Sequence, residues 1–399
     1  MLTDARAGST SLALFVAERL RERDGVTREF FAREAGRLTA GSAEMAERFE
    51  RGARLFAFGR GPYATDAAHL SVEFVHPVIV GKRALPAIDA SAAVDRMLAH
   101  LATPDDIAIA LGPPEGDAEL KPALRRARER GLLTFALPGD GADADYAFAA
   151  PTSDVHVHQE LFELLGHSLY ETVQVFLEQR VHATGGGAAG FLYPFLGGSQ
   201  HAPLDRDAIA ASIVAKAADG EALRNTIADR QASAIASAAS AIAERLQRGG
   251  RILTFGNGGS ATDATDFVLD CLDAPEGARA IPALSLAAEP AILTAIGNDV
   301  GLELVFVRQI IAHARPADVA FAFSTSGGSK NVVAALGEAR ARGLLTVALL
   351  GYDGGEIARR GLADHAIVVE SDYIPRIQEA QAAIYHVLRQ AVELVRDGP

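Results

Sequence analysis

The sequence predicts an α/β protein of two tandem domains, each a doubly wound parallel sheet flanked by helices in three αβα layers. Three observations carry this expectation. Short, uniformly apolar runs alternate with amphipathic helical segments, the alternation occurs twice in the same order, and 399 residues suffice for two or three domains of roughly 100–200 residues each. Each half opens on helical sequence, Thr10 to Glu22 in the first and Ala208 to Leu246 in the second. Arg54 to Phe58 and Arg251 to Phe255 follow as apolar runs that enter glycine turns. Ile107 to Leu111 and Val319 to Phe323 come next, each after an acidic residue and apolar throughout, as strands buried on both faces must be. Leu132 to Leu137 and Leu344 to Leu349 make the third pair. Strands alternating with helices imply right-handed βαβ crossovers and a flavodoxin-like parallel sheet, whose ligands lie outside the carboxyl ends of the strands.

The repeat is explicit in the residues. Ala64-Thr65-Asp66-Ala67 recurs as Ala261-Thr262-Asp263-Ala264, displaced by 197 residues. Arg130-Gly131-Leu132-Leu133-Thr134 recurs as Arg342-Gly343-Leu344-Leu345-Thr346, displaced by 212. Gln159, Glu160 and His167 recur as Gln378, Glu379 and His386, displaced by 219. A constant order with a growing shift is what duplication followed by insertion in the second copy produces, the largest insertion falling around Gly297-Asn298-Asp299. The expected division is a first domain over 1–182, a glycine-rich linker over 183–204 and a second domain over 205–399. The linker holds Gly185-Gly186-Gly187 and Gly197-Gly198 around Phe191-Leu192-Tyr193-Pro194-Phe195-Leu196, an apolar patch expected to dock onto a domain.

Composition narrows the function. With 49% hydrophobic and 22% charged residues each half can bury a core, and no apolar run approaches the roughly 18 residues of a membrane span. The N-terminal apolar stretch carries Asp4 and Arg6 and lacks a small-residue cleavage site, so the reading is an uncleaved, cytoplasmic chain with no membrane partner. Cys271 is the single cysteine, which excludes an intrachain disulfide framework. A net charge of −13 argues against nucleic acid, whose binding depends on neutralising phosphates with Lys and Arg.

The motifs fall where such a sheet places its ligands. Ser324-Thr325-Ser326-Gly327-Gly328-Ser329 sits between a strand and a helix, so hydroxyls and helix N-terminal N–H groups converge where the dipole favours an anion. A serine and glycine turn with ordinary helix capping has the same spacing. Gly256-Asn257-Gly258-Gly259-Ser260 is a weaker signal, since glycine turns after strands are common; its counterpart, Gly59-Arg60-Gly61-Pro62-Tyr63, keeps the turn and loses the serine.

Together these residues carry a resemblance. From about Leu204 onward the chain resembles the sugar-isomerase (SIS) domain family, and within it the phosphoheptose isomerases, which interconvert sedoheptulose 7-phosphate and the aldose heptose 7-phosphate. The resemblance rests on GNGGS at 256–260, GND at 297–299, STSGGS at 324–329 and RIQE at 376–379 with His386 beyond it. It implies that Ser324, Thr325, Ser326 and Ser329 hold the sugar phosphate, with Asn257, Gly258, Ser260, Asp299 and Gln378 on the substrate. It further implies a histidine and a catalytic glutamate four residues apart on the helix after GNGGS, and a glutamine and a catalytic histidine eight residues apart from RIQE onward. These four can hold zinc; no nucleotide cofactor is implied.

Carried across residue by residue, the set divides between the halves. The second half has Asp266 and Asp270 in place of the helix histidine and glutamate, while Gln378 and His386 match; a base one methylene shorter than Glu falls about an ångström short. The first half presents His69, Glu73, Gln159 and His167, but reads Gly112-Pro113-Pro114-Glu115-Gly116-Asp117 at the phosphate loop, and two carboxylates there repel phosphate. The residues have plainer readings as well. His69 and Glu73 have the spacing of an exposed helix pair, Asp266, Asp270 and Asp273 that of a solvated acidic face, and His156 and His158 are as readily surface residues. Gln159 and His167 are about 12 Å apart along a straight helix, too far to share an ion unless Gln159 lies at a frayed start.

The resulting expectation is a pseudo-dimer of SIS domains catalysing aldose–ketose isomerisation through an enediolate. Glu73 is the base and His167 the acid, with zinc on His69, Glu73, Gln159 and His167, and phosphate on the second half. A competing version places the chemistry on Asp266, Asp270, Gln378 and His386. The alternative from another class is a non-catalytic phosphosugar-binding regulator or assembly scaffold. Family members of one domain form tetramers, so a homodimer with four SIS domains is expected.

Overall fold

Strand order is the same in both halves, 2-1-3-4-5 counted within each, and this places every ligand-bearing loop of the sequence at one edge of its sheet. The computed structural model describes residues 2–77, 82–139, 143–182, 205–274 and 279–398; the linker expected over 183–204 and its apolar patch lie outside them. In the first half β1 (Leu55–Phe58), β2 (Ala87–Asp89), β3 (Ile107–Leu111), β4 (Leu133–Leu137) and β5 (Tyr146–Ala147) form a parallel sheet ordered β2-β1-β3-β4-β5. In the second, β6 (Ile252–Phe255), β7 (Ala283–Ser285), β8 (Val319–Ser324), β9 (Leu345–Gly351) and β10 (His365–Val369) repeat it as β7-β6-β8-β9-β10. The predicted class is what the structure has: two tandem doubly wound parallel sheets with flanking helices. Strand direction of travel reverses between β1 and β3 and between β6 and β8, the positions where such sheets open a crevice for ligands.

Two compact units result, and their borders differ from a division at the linker. Residues 24–219 form one unit, whereas 1–23 join 220–399 in the other. Helix α1 (Leu2–Arg21) buries Leu12, Val16, Ala17 and Leu20 against Ile235, Ala239 and Ile242 of α8 (Ala232–Gln247). Helix α7 (Arg206–Arg230) begins in the first unit, where Ile209, Ile213 and Ala217 join its core, and ends in the second. The apolar faces at the N-terminus of each half, expected to be open for a partner copy, are therefore covered within the units. Two elements shape the first unit's site: α3 (Tyr63–Val75), after the first glycine turn, and α6 (Val155–His182). Their counterparts are α9 (Gly259–Leu272) and α14 (Ile374–Asp397).

Duplication is also written in buried polar clamps. Asp318 accepts hydrogen bonds from Arg251 N (2.9 Å), Arg251 Nη2 (3.0 Å) and Arg315 N (3.0 Å) at the start of β8. Asp106, its equivalent at a shift of 212, accepts from Arg54 N (2.6 Å), Arg54 Nη2 (2.9 Å) and Thr103 N (2.7 Å). Thr134 with Asp145 and Thr346 with Asp364 form a second matched pair, in which backbone N–H and hydroxyl both donate to one carboxylate oxygen. The insertion around Gly297-Asn298-Asp299 is a helix, α10 (Pro290–Asp299), ahead of α11 (Val305–His313); the first half crosses the same gap with α4 (Val94–Leu101) after a single 3₁₀ turn. Among the described residues no helix is long and apolar enough to cross a membrane.

Candidate active site

In the second half the glycine turn is forced by close approach. A Cβ on Gly256 would lie 2.3 Å from Ser260 O, and Gly258 has φ +57°, so the chain can turn this sharply into α9 only with glycines. Ser324 ends β8; its hydroxyl accepts from Gly327 N (3.1 Å), and that of Ser326 from Gly328 N (3.2 Å). Ser329 then precedes α12 (Lys330–Ala341). Asn257 and Asn331 exchange side-chain hydrogen bonds of 3.0 and 2.8 Å, which lock the glycine turn to the first turn of α12. The loop opens on a cleft of about 790 Å³ that Ser326, Gly328, Tyr352 and Arg359 help to line. Hydroxyls, free of regular strand bonding, and a helix N-terminus facing open space suit an anion. Thr325 is half-buried in this loop and Ser260 is buried at the head of α9. Asp299 stands exposed at the end of α10, its carboxylate accepting from Asn298 Nδ2 at 2.9 Å.

The same unit carries the altered acid–base set, and it is not a solvated face: Asp266 and Asp270 are buried on α9, Gln378 and His386 on α14, with His386 fully enclosed. His386 Nε2 lies 3.1 Å from Asp270 Oδ2 and 3.8 Å from Asp266 Oδ2. The shorter aspartate thus reaches the histidine directly. Tyr385, which sequence reasoning missed, donates its hydroxyl to Asp266 Oδ2 at 2.7 Å. Its ring packs among Phe267, Phe323 and His386. Arg389 Nε caps the carbonyl of Asp270 at 3.0 Å. Asp273 alone of the three acidic residues is exposed.

The first unit assembles a different cluster. His69 and Glu73, one turn apart on α3, are buried rather than an exposed pair, with His69 Nε2 3.9 Å from Glu73 Oε1. The ring of His167 on α6 stands 5.8 Å from that of His69, at 75°. His69, Glu73 and His167 each offer one ligand atom within 4.8 Å of the others. They line a cavity of about 10 Å³, which is the volume one water or ion takes. Gln159 is one step further: α6 is helical from Val155, and the Gln159 amide donates to Asp66 Oδ2 at 3.1 Å. Glu163, midway between Gln159 and His167 on the same face, lies 3.6 Å from His69 Nδ1. It was missed because the repeat has Ala382 there, yet the spacing of four from both neighbours was visible. His158 is also buried and bonds Gly112 O at 3.0 Å; burial pushes its pKa down to about 4.

At the first unit's counterpart of the serine loop, Asp117 occupies the place of Ser329. Its Oδ1 accepts from Glu119 N (2.8 Å) and Leu120 N (3.2 Å) at the head of α5 (Leu120–Glu129). Arg60, from the glycine turn, reaches Glu119 at 2.9 Å and Asp117 at 3.5 Å. The helix N-terminus already holds a carboxylate, so a phosphate would meet like charge instead of open donors.

Comparison with known proteins agrees with the fold and the motifs. A SIS domain model matches residues 217–351. The C-terminal part is 45% identical over 161 residues to a phosphoheptose isomerase of Geobacter sp. (strain M21), covering 40% of this chain and 83% of that protein. It is 43% identical over 173 residues to the phosphoheptose isomerase of Pelobacter propionicus, covering 43% and 90%. The whole chain superposes on the C-terminal domain of glucosamine-fructose-6-phosphate aminotransferase from Francisella tularensis with a TM-score of 0.63, over 96% of each chain; at 11% identity this likeness is one of fold.

Proposed function

The chain belongs to the SIS domain family, and from that membership we propose that it is an aldose–ketose isomerase acting on a sugar phosphate, a heptose 7-phosphate being the favoured substrate class. The observation that carries this reading is the Ser324–Ser329 loop, which combines hydroxyls, a helix N-terminus and an open cleft. Ser324, Thr325, Ser326 and Ser329 are proposed to hold the phosphate, with Asn257, Gly258, Ser260, Asp299 and Gln378 on the sugar. Isomerisation moves a proton between C1 and C2 through an enediolate, which requires a base at those carbons and an acid at the oxygens.

Asp270 and His386 are the pair proposed for that task within the second unit, because they lie within hydrogen-bond reach of each other. Glu73 and His167 remain the proposed pair of the first unit. There His69, Glu73 and His167 have the donor chemistry for zinc, with Gln159 proposed beside them, and the ion would supply Lewis-acid polarisation of a carbonyl. A second reading, a phosphosugar-binding regulator without turnover, is favoured by one observation: His386 is wholly enclosed and His167 nearly so.

One experiment separates the two readings. Sedoheptulose 7-phosphate, a hexulose phosphate and a pentose phosphate are offered with and without zinc, following aldose formation by NMR and binding by calorimetry. Turnover of one of them supports the isomerase; tight binding with no product over hours would replace it with the regulator.

A further inference from the structure

We propose that the two halves have parted in metal chemistry: the first unit keeps a single divalent-cation pocket on His69, Glu73 and His167, positioned by Glu163, and the second has closed its pocket with Tyr385. Four equivalent positions change together. His69 becomes Asp266 and Glu73 becomes Asp270 at the shift of 197, while Glu163 becomes Ala382 and Gly166 becomes Tyr385 at the shift of 219.

Each change has a structural consequence. In the first unit His69 Nδ1 faces Glu163 at 3.6 Å and its Nε2 faces Glu73 at 3.9 Å. A carboxylate on one ring nitrogen fixes the imidazole so that the other nitrogen turns to the ion, the usual arrangement behind a metal-bound histidine. Glu163 is therefore a positioning residue. Two ligands about 2.0–2.2 Å from a tetrahedral ion stand roughly 3.3–3.6 Å apart, so 3.9 Å needs only a small contraction. The 10 Å³ cavity borders on Gly166, where a side chain would encroach: a Cβ there already lies 3.2 Å from Leu70 Cδ1.

In the second unit a tyrosine occupies that glycine's place. Its hydroxyl donates to Asp266 at 2.7 Å, and its ring packs 4.4 Å from the ring of His386. His386 Nε2 is at hydrogen-bond distance from Asp270, so this nitrogen carries its proton toward the carboxylate and its lone pair is not offered to an ion. The carboxylate that would orient a second imidazole is missing at Ala382. The second set works without a metal.

The measurement is cation stoichiometry on the full chain, independent of turnover. Apoprotein titrated with Co²⁺ is followed by its visible d–d bands and by elemental analysis. The expected result is one ion per chain, lost in His167→Ala and retained in His386→Ala, with circular dichroism confirming that both variants fold. Glu163→Gln, which preserves shape, should weaken chelator-competed affinity by about 10–100-fold without abolishing the bands. Asp266→His/Asp270→Glu/Tyr385→Gly should raise the count from one to two. Two ions in the parent chain, none at all, or loss in His386→Ala with retention in His167→Ala would overturn the proposal. A count that stays at one in the triple variant would overturn the role given to Tyr385.

Discussion

Ser326 and Ser329 are the side chains on which ligand binding is expected to depend most directly. Each would donate to a charged phosphate, worth roughly 1.5–3 kcal/mol, so Ser326→Ala/Ser329→Ala should weaken sugar-phosphate binding at least tenfold in titration calorimetry; an unchanged affinity reduces the loop to a turn. Glu73→Gln and Asp270→Asn ask which acid–base pair is used. The variant on the working pair should lose at least a hundredfold in turnover with binding nearly intact, and the other should change little, as NMR rates will show. The histidines illustrate what a sequence conveys at this scale. His69 and His167 were visible through the repeat. Tyr385 and Glu163 were not, because each matters through a partner on another helix, Asp266 for one and His69 for the other, and a linear repeat search sees matched residues rather than compensating ones.

Among the elements, the loops before α5 and α12 show how one framework serves opposite ends. The serine loop presents donors, whereas its counterpart is satisfied by Asp117 and tied by Arg60. The same first-unit loop is held from behind by His158, whose Nε2 meets Gly112 O. Burial keeps this ring neutral, with a pKa of about 4 in the folded state against 6.5 for an ordinary histidine. The unfolded chain therefore binds a proton between those values that the folded chain does not. Stability from this group is complete above about pH 6.5 and declines as pH falls toward 4, by on the order of 3 kcal/mol in all. His158→Gln should flatten the dependence of the urea midpoint on pH between 7 and 4.5, and an unchanged slope would remove the assignment. Asp106 behaves in the same direction at lower pH. Burial alone would raise its pKa, but hydrogen bonds from Arg54 and Thr103 outweigh it and hold the carboxyl below its ordinary value. Stability from this clamp is thus present above about pH 4 and lost as pH falls through the folded value. The strands and most helices were legible because periodicity reports burial, whereas the aspartate clamps were not, since a buried and a solvated aspartate look alike in sequence.

For the whole molecule, duplication was legible and the ownership of helices was not. Shifts of 197, 212 and 219 residues reported the two sheets, but Leu12, Val16 and Leu20 of α1 form an apolar stripe that would suit either core, and only packing assigns it to the second. That assignment removes the original ground for expecting a homodimer, because those faces are buried within a unit. Another ground takes its place. Val300, Leu302, Leu304 and Ile311 are all exposed within one short stretch around the end of α10 and the start of α11, Leu302 by 67%. This stretch follows the helix that the second half gained by insertion. Single exposed apolar residues are ordinary on a protein surface, but a local group of four is characteristic of a contact surface. A homodimer that covers this group should elute and scatter light at twice the 41.8 kDa of one chain. Leu302→Asp, which introduces a charge where no backbone geometry needs to change, should shift the mass toward that of one chain by raising the dissociation constant at least tenfold. A parent chain that scatters as 41.8 kDa at all concentrations would leave the exposed group without a homodimeric role.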